Sequence, residues 1–382
     1  MSPPVTIAGH QVVSALGVGA GAHAAALRAG GVSPSSVELQ DPEGTRSLPY
    51  LRLPHSDPGP SRHDRLLQVV ADALEQADLT PEQRRDCAIL VGSSSSTLPD
   101  AEDDWATRGR RADFIPMPYA GGHGEIADNL ARRFDLHGAR HFIGTACSSS
   151  ANALLLGSRL LHGGHARAAL VVGVDWYNEL TLRGFEALML LDPVRPRPFD
   201  IDRRGLVLGE GVAALVLTMA EPAQAGAWSL RGGATMGDTD SPTHTSPEGV
   251  AEVVERALGS AGIDSADLTA IKAHGTATPH NDVAEGQGLA RVFGAQQPPT
   301  SSLKGAIGHT LGACGAIETA ALMACIDAGF WPASHGLANA DPECAIEPAT
   351  APRPCGNGLF LLDFFGFGGN NCALILERHA PL

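Results

Sequence analysis

The chain lacks most of what marks a membrane, secreted or nucleic-acid-binding protein. It has no apolar run of roughly 18 residues, so no membrane-spanning helix is expected. Its first residues, MSPPVTIAGHQVVSALG, carry neither a basic stretch nor a following apolar one, so no secretory leader is expected. Its seven cysteines are odd in number, scattered and without a CxxC pair. That pattern argues for reduced thiols in a cytoplasmic setting and against a disulfide framework or a zinc site. Positive charge is scarce: 27 Lys and Arg face 42 Asp and Glu, for a net charge of −15. Such a chain is not drawn to nucleic acid or anionic membranes by overall charge. There is no Walker A motif, no GxGxxG after a strand and no metal-ligand spacing, so neither a nucleotide nor a metal or other cofactor is expected.

What is present is a globular composition, 43% hydrophobic and 18% charged over 382 residues. CAILVG (87–92), ALVVGV (169–174) and GVAALVL (211–217) read as strands buried on both faces. HDRLLQVVADALEQADL (63–79) sets Leu66, Leu67, Val70, Ala73, Leu74 and Ala77 on one helical face. The segments 148–164 and 315–329 read as largely buried helices. Strands alternating with helices imply a largely parallel sheet covered on both faces. At an offset of 184, Val69, Val70, Ala73, Leu74, Ala77 and Leu79 meet Val253, Val254, Ala257, Leu258, Ala261 and Ile263. We read this as two related halves, 1–222 and 223–382, although amphipathic helices also share such patterns by chance. The Pro-, Ser- and Asp-rich stretch 33–62 reads as a surface excursion.

Four segments hold residues that could do chemistry. In GTACSSSANALLLG (144–157) a strand ending at Ile143 turns through small residues into a helix, with Cys147 at the turn. The helix dipole there favours thiolate, and small neighbours admit a carbonyl; a buried structural cysteine is the alternative. KAHGTATPHND (272–282) places His274 after a strand and before a Thr-rich turn. SLKGAIGHTLGACGAIE (302–318) holds Lys304, His309 and Glu318, with Cys314 read as a small packing residue. Loops at strand ends are where α/β folds place their sites. In DFFGFGGNNCALILE (363–377) an aromatic strand breaks at glycines able to expose backbone N–H groups; a tight hairpin with no catalytic part is the alternative.

TACSSS, RPFDIDRRGLVLGEG, HGTATPHND, LKGAIGH and GFGGNN, in that order, resemble the β-ketoacyl-[acyl-carrier-protein] synthases of the thiolase superfamily. The resemblance runs from about residue 5 to 378. It implies an α/β, thiolase-like fold of two duplicated halves in five layers, α-β-α-β-α, with the site between the halves. It implies decarboxylative Claisen condensation without a cofactor, in type II fatty acid or polyketide and polyene synthesis. Cys147 matches the nucleophile that carries the acyl chain. His274 and His309 match the pair that drives decarboxylation of malonyl-carrier protein and holds the enolate oxygen. Lys304 matches the supporting lysine and Glu318 the organising carboxylate. Phe367 matches the gating aromatic, its N–H forming an oxyanion hole with that of Cys147. Thr276, Thr278, Gly366 and Gly368 are expected against the substrate.

The resemblance also implies partners. These are acyl carrier protein in acyl and malonyl forms, and a second chain paired through ARHFIG (139–144), as a homodimer or with a related synthase. Non-catalytic chain-length partners in this family have lost the cysteine, which this chain keeps. The chain is shorter than typical members before residue 60 and between 96 and 110, and Asn370-Asn371 stands where Thr-Asn is usual. Counting from Gly92 places Ser95 where related synthases carry a bulky residue that limits chain length from across the dimer, so a deep acyl pocket is expected. Carrier protein is acidic, so docking on this acidic chain needs a local basic patch, for which Arg62, Arg110, Arg111, Arg203 and Arg204 are candidates. His244 and His280 lie near the proposed site. A cysteine hydrolase and an idle heterodimer subunit are the competing readings.

Overall fold

The structure is a computed structural model that describes residues 4–42, 44–54, 59–108, 122–219, 225–238 and 245–380. In chain order its elements begin with β1 (Val5–Ser14), β2 (Gly17–Val18), α1 (Gly19–Ala29), the hairpin β3 (Ser35–Asp41) and β4 (Gly44–Tyr50), α2 (Arg62–Ala77), α3 (Pro81–Arg85) and β5 (Cys87–Gly92). There follow α4 (Leu98–Arg108), α5 (Glu125–Phe134), β6 (Arg140–Ile143), α6 (Ser149–His162), β7 (Ala168–Asp175), α7 (Glu179–Ala187) and β8 (Gly211–Thr218). The second run is β9 (Trp228–Gly237), α8 (Pro247–Ala261), β10 (Leu268–Lys272), α9 (Pro279–Phe293), β11 (Thr300–Ser301), α10 (Lys304–Ile307) and α11 (Cys314–Asp327). It closes with β12 (Phe330–Trp331), β13 (Arg353–Pro354), β14 (Gly358–Gly366) and β15 (Asn370–Arg378).

The main sheet runs β11-β10-β14-β15-β9-β1-β8-β7-β5-β6, with β2 beside β1. On either side of the β9–β1 junction the order repeats: β1-β8-β7-β5-β6 answers β9-β15-β14-β10-β11. The expectation of a largely parallel sheet is corrected. Only β10–β11, β10–β14, β5–β6 and β5–β7 are parallel, while the five pairings from β14 through β15, β9, β1 and β8 to β7 are antiparallel. β14 and β15 are joined by a tight turn, and the longer link from β7 to β8, although it carries α7, returns to the same end of the sheet, so both pairs are antiparallel.

Side-chain alternation sets the layers. Along β7, Ala168, Leu170, Val172 and Val174 face a core shared with α2 and α5, while Ala169 and Val171 face one shared with α6 and α11. Along β14, Phe360, Leu362 and Phe364 meet that same central core, and Leu361 and Phe365 meet α8 and α9. The layers are therefore α2/α5, sheet, α6/α11, sheet, α8/α9. Every residue of α11 from Cys314 to Ile326 is buried, as a helix between two sheets must be. The two central helices cross closely because Gly315 meets α6 without a side chain: a Cβ there would lie 2.2 Å from the Ala151 nitrogen.

The helix expected over 63–79 runs from Arg62 to Ala77, started by a capping box between Ser61 and Asp64 and stopped at Asp78 in the left-handed region. Leu66, Val70, Ala73 and Leu74 are buried as expected, with Val69 joining them, while Leu67 and Ala77 are only partly covered. The stretch read as a surface excursion is in part built in: Val37, Leu39 and Tyr50 of the β3–β4 hairpin are buried against Leu182, Leu206, Leu208 and Leu311.

Candidate active site

Cys147 lies on a 3₁₀ turn, Ala146–Ser148, that joins β6 to α6. Ala146 is held at φ +50°, a left-handed conformation costly for a residue with a Cβ. Short side chains hold it there. Ser149 Oγ donates to the Ala146 carbonyl at 2.6 Å and accepts the Thr145 N–H at 2.9 Å, and Ser148 Oγ donates to the Thr145 carbonyl at 2.8 Å. Gly366 passes so near that a Cβ there would lie 2.8 Å from the Thr145 oxygen, so this strand end admits only glycine.

The expectation of a resting thiolate is corrected. Burial pushes the Cys147 thiol up to about 11, although Lys304 and the backbone N–H groups of Phe367 and of Cys147 itself pull the other way. Desolvation outweighs the helix start. Those two N–H groups nonetheless lie close enough to the sulfur to favour its anion.

The opposite wall comes from the second half. His274 follows β10 and is buried, its backbone N–H donating to Glu285 Oε1 at 2.5 Å and that of Gly275 to Glu285 Oε2 at 2.7 Å. Lys304 Nζ lies 3.1 Å from His274 Nδ1 and 2.7 Å from Glu318 Oε1. An ammonium can only donate, so Nδ1 accepts and Nε2 carries the proton. His309 reaches the same tautomer by another route, since its Nδ1 accepts the Leu311 N–H at 3.1 Å. The two rings meet edge to face at 5.4 Å. Burial, then Lys304, holds both imidazoles well below the ordinary histidine value. Burial opposes the Lys304 charge, but Glu318 and its neighbours raise that lysine overall.

Cys147, His274 and His309 open onto one cavity of about 380 Å³, shared with Thr276, Thr278, Phe365, Gly366 and Phe367. Phe367 stacks on Phe185 of α7 at 5.9 Å. A second cavity, about 540 Å³, meets Cys147 from the side of Ser93, Ser94, His123 and Phe142. Ser95 does not line it. Its hydroxyl donates to Asp175 at 2.6 Å, which turns the side chain into its own chain's fold. Asp175 also takes the Ser93 hydroxyl and the N–H groups of Ser94, Ser95 and Ala313, so the serine run is a nest for a buried carboxylate. Gly368 is exposed at φ +78° and lies outside both cavities; it serves the turn and not the substrate wall.

The arginines separate. Arg203 is interior, bonded to Asp341 at 2.6 Å and to the carbonyls of Asp200 and Pro279, so its docking role is corrected to that of a strut. Arg62 is committed to Asp100 and Asp103. Arg204 is 55% exposed at the mouth of the histidine-side cavity, 3.7 Å from Asp192. His280 lines that cavity too. Arg110, Arg111 and His244 lie outside the described residues.

Sequence reasoning passed over Lys272, Glu285, Asp363 and Asp175, all buried. Lys272 Nζ donates to Glu318 Oε2 at 2.8 Å and to the Asp363 carbonyl at 2.7 Å. Burial lifts Asp363 to about 6 and Glu285 well above the usual range, each carboxyl facing the other. A cue was available for Lys272, which lies two residues before His274 in a segment already singled out. Cys314 is more than packing: its thiol donates to the Cys147 carbonyl at 2.9 Å. Among the described residues no cluster of His, Cys, Asp or Glu is arranged to hold a metal ion, and no helix is long and apolar enough to cross a membrane.

Residues 61–223 match the family model for the beta-ketoacyl synthase N-terminal domain, and residues 229–338 that for the C-terminal domain. A provisionally named polyketide beta-ketoacyl synthase 1 of Streptomyces cyaneus is 31% identical over 100% of this chain and 99% of its own length. The 3-oxoacyl-[acyl-carrier-protein] synthase 2 of Rhizobium meliloti is 33% identical over 80% of this chain and 78% of its own. Among solved structures, the ketosynthase ApeO in complex with its chain length factor ApeC, from Xenorhabdus doucetiae, matches with a TM-score of 0.85 at 26% identity over 98% of both chains. A beta-ketoacyl synthase from Burkholderia phymatum matches at 0.84 with 28% identity, over 99% of this chain and 100% of that one.

Proposed function

The chain belongs to the beta-ketoacyl synthase family, and from that premise we propose that it joins an acyl group carried on Cys147 to malonyl-acyl carrier protein, giving 3-oxoacyl-acyl carrier protein. One observation carries the assignment of roles: two imidazoles, both bearing their proton on Nε2, share a cavity with a cysteine at a strained helix start. Cys147 attacks the acyl thioester. The oxygen's developing charge falls to the N–H groups of Cys147 and Phe367, and the departing carrier thiolate takes up the proton the cysteine gives up. Malonyl-carrier protein then enters. Its C–CO₂ bond breaks, CO₂ leaves, and the electron pair forms an enolate whose oxygen accepts from the two Nε2–H groups. The enolate carbon attacks the Cys147 thioester and expels the cysteine as thiolate, which takes a proton from solvent to restore the resting thiol. Thr276 and Thr278, whose hydroxyls pair at 2.9 Å, border the entrance used by the carrier's thiol arm.

Acyl carrier protein is the partner this reaction needs, and a second synthase chain is the other. Among the described residues β6 ends the sheet and pairs on one side only, to β5, which supports pairing of this edge with a homodimer or heterodimer partner. The relative ApeO is itself in complex with a chain length factor. An idle structural subunit is the lesser reading, because the nucleophile, both histidines, Lys304 and Glu318 all converge. The division of the halves at 222/223 falls outside the described residues, and seven free thiols suit a cytoplasmic setting. The test is mass spectrometry after incubation with acyl-carrier proteins of several lengths. An acyl mass on the peptide containing Cys147 is expected. Loading elsewhere, or none with any primer, overturns the assignment.

A further inference from the structure

Of the chain's 27 basic residues, 25 are arginines and two are lysines. Those two, Lys272 and Lys304, are both buried, and both grip the same carboxylate, Glu318, one on each oxygen. Resting on the reading of the histidine pair above, we propose that Lys272 is a positioning residue of the condensation site, a second ammonium that holds Glu318 from the side opposite Lys304 and so fixes the lysine that orients His274.

The geometry favours a lysine at this position. Its three ammonium protons have three partners in three directions: Glu318 Oε2 at 2.8 Å, the Asp363 carbonyl at 2.7 Å and the face of Phe364, whose ring centre lies 3.7 Å away. A compact ammonium satisfies such a set, and a planar guanidinium does not. Elsewhere the chain uses arginine for its basic positions, so lysine is kept where its shape is required.

Charge balance gives Lys272 its second effect. The groups facing the imidazoles or packed behind them are Lys272 on β10, Lys304 on α10, Cys314 and Glu318 on α11, Asp282 and Glu285 on α9, Asp363 on β14 and Cys147 on the elbow. Glu285 and Asp363 face each other, and the Lys272 charge counters the lift that burial gives both carboxyls. Removing Lys272 takes one positive charge from a dry site, and both imidazoles then hold a proton more readily. Lys272 lies on the positive side of that balance for both His274 and His309. A protonated imidazole pair no longer matches the Lys304 donor, and turnover falls.

The experiment follows CO₂ release from malonyl-carrier protein against pH for the wild-type enzyme, Lys272→Met and Lys272→Gln. Both variants should move the acid limb upward by roughly 1 pH unit. Alkylation of Cys147 by iodoacetamide should keep its pH profile, because Lys304 remains. A lowered rate with the acid limb unmoved would make Lys272 an ordinary interior ion pair and overturn the proposal. So would failure of both variants to fold, which would make the lysine a stability strut. A wild-type enzyme that releases no CO₂ would instead sink the reading of the histidine pair, and this proposal with it.

Discussion

The two halves contain the same device and use it differently. In the first, Ala146 at φ +50° opens a 3₁₀ turn that leads into α6; in the second, Leu311 at φ +52° opens one that leads into α11. The offset between them is 165 residues, and it sets Cys147 against Gly312. Gly312 has no room for a side chain, since a Cβ there would lie 2.6 Å from the Ser94 nitrogen. The second elbow is thus packed shut against the serine run of the first half. Its half contributes chemistry through an insertion. Two residues separate β6 from the first elbow, but nine separate β11 from the second, and those nine include Lys304 and His309. One half supplies the nucleophile and the other the proton donors, so a reacting carbonyl must lie between them.

The sharpest way to break this division is to remove the nucleophile. Cys147→Ala should abolish acyl loading and cut condensation by at least about 10⁴-fold. CO₂ release from malonyl-carrier protein should survive, because the second half is intact. Condensation at wild-type rate in this variant would end the assignment.

Removing either donor should hurt the other half-reaction. His274→Ala and His309→Ala should each cost about 10²–10⁴ in condensation, with acyl loading less affected. Both imidazoles are held well below 6.5, chiefly by burial, so they stay neutral as pH falls through 6.5. The wild-type rate should therefore hold across that pH and fall only well below it. A decline centred near 6.5 would mean that the donors titrate as solvent-exposed imidazoles, and the comparison of halves would lose its second term.

Legibility in the sequence followed how local each signal was. The elbow, the two histidines and the glycine turn lie in short segments whose residues act near where they stand, and each could be named before the fold. The antiparallel middle of the sheet could not, because β1–β9 and β9–β15 join segments far apart in the chain and leave no local pattern. Asp175 and Glu285 were missed for the same reason: each carboxylate pins a loop from another element, β7 to the serine run and α9 to the turn after β10. Arg203 and Arg204 are adjacent and identical in type, yet one is interior and one exposed, which only packing decides.

The closed second elbow gives a smaller, structural test. Gly312→Ala would push a methyl group against the Ser93 and Ser94 backbone, at a cost of about 1–3 kcal/mol. The melting temperature should fall while the Cys147 alkylation profile keeps its shape. An unchanged melting temperature would mean that the two elbows are not locked together, and that the serine run can yield.

The smallest effect is expected at the cavity mouth, where the halves meet the carrier protein. Arg204 stands at the rim of the first half and Thr276 and Thr278 at that of the second. With Arg203 inside the fold and Arg62 paired to Asp100 and Asp103, Arg204 is, among the described residues, the candidate docking residue best placed to meet an acidic partner at this entrance. Its nearest acid, Asp192, is 3.7 Å away and buried, so part of its charge is already answered. An exposed charge so placed contributes modestly, and mostly to association rate. Arg204→Glu should raise KM for carrier-protein substrates roughly 3- to 10-fold and flatten its salt dependence. Turnover of small acyl-thioester mimics should hardly change, because they lack the acidic carrier protein that this charge would meet. Equal losses with both substrate types would place Arg204 in the shared wall of the cavity, and the mouth would then be one surface with no division between docking and threading.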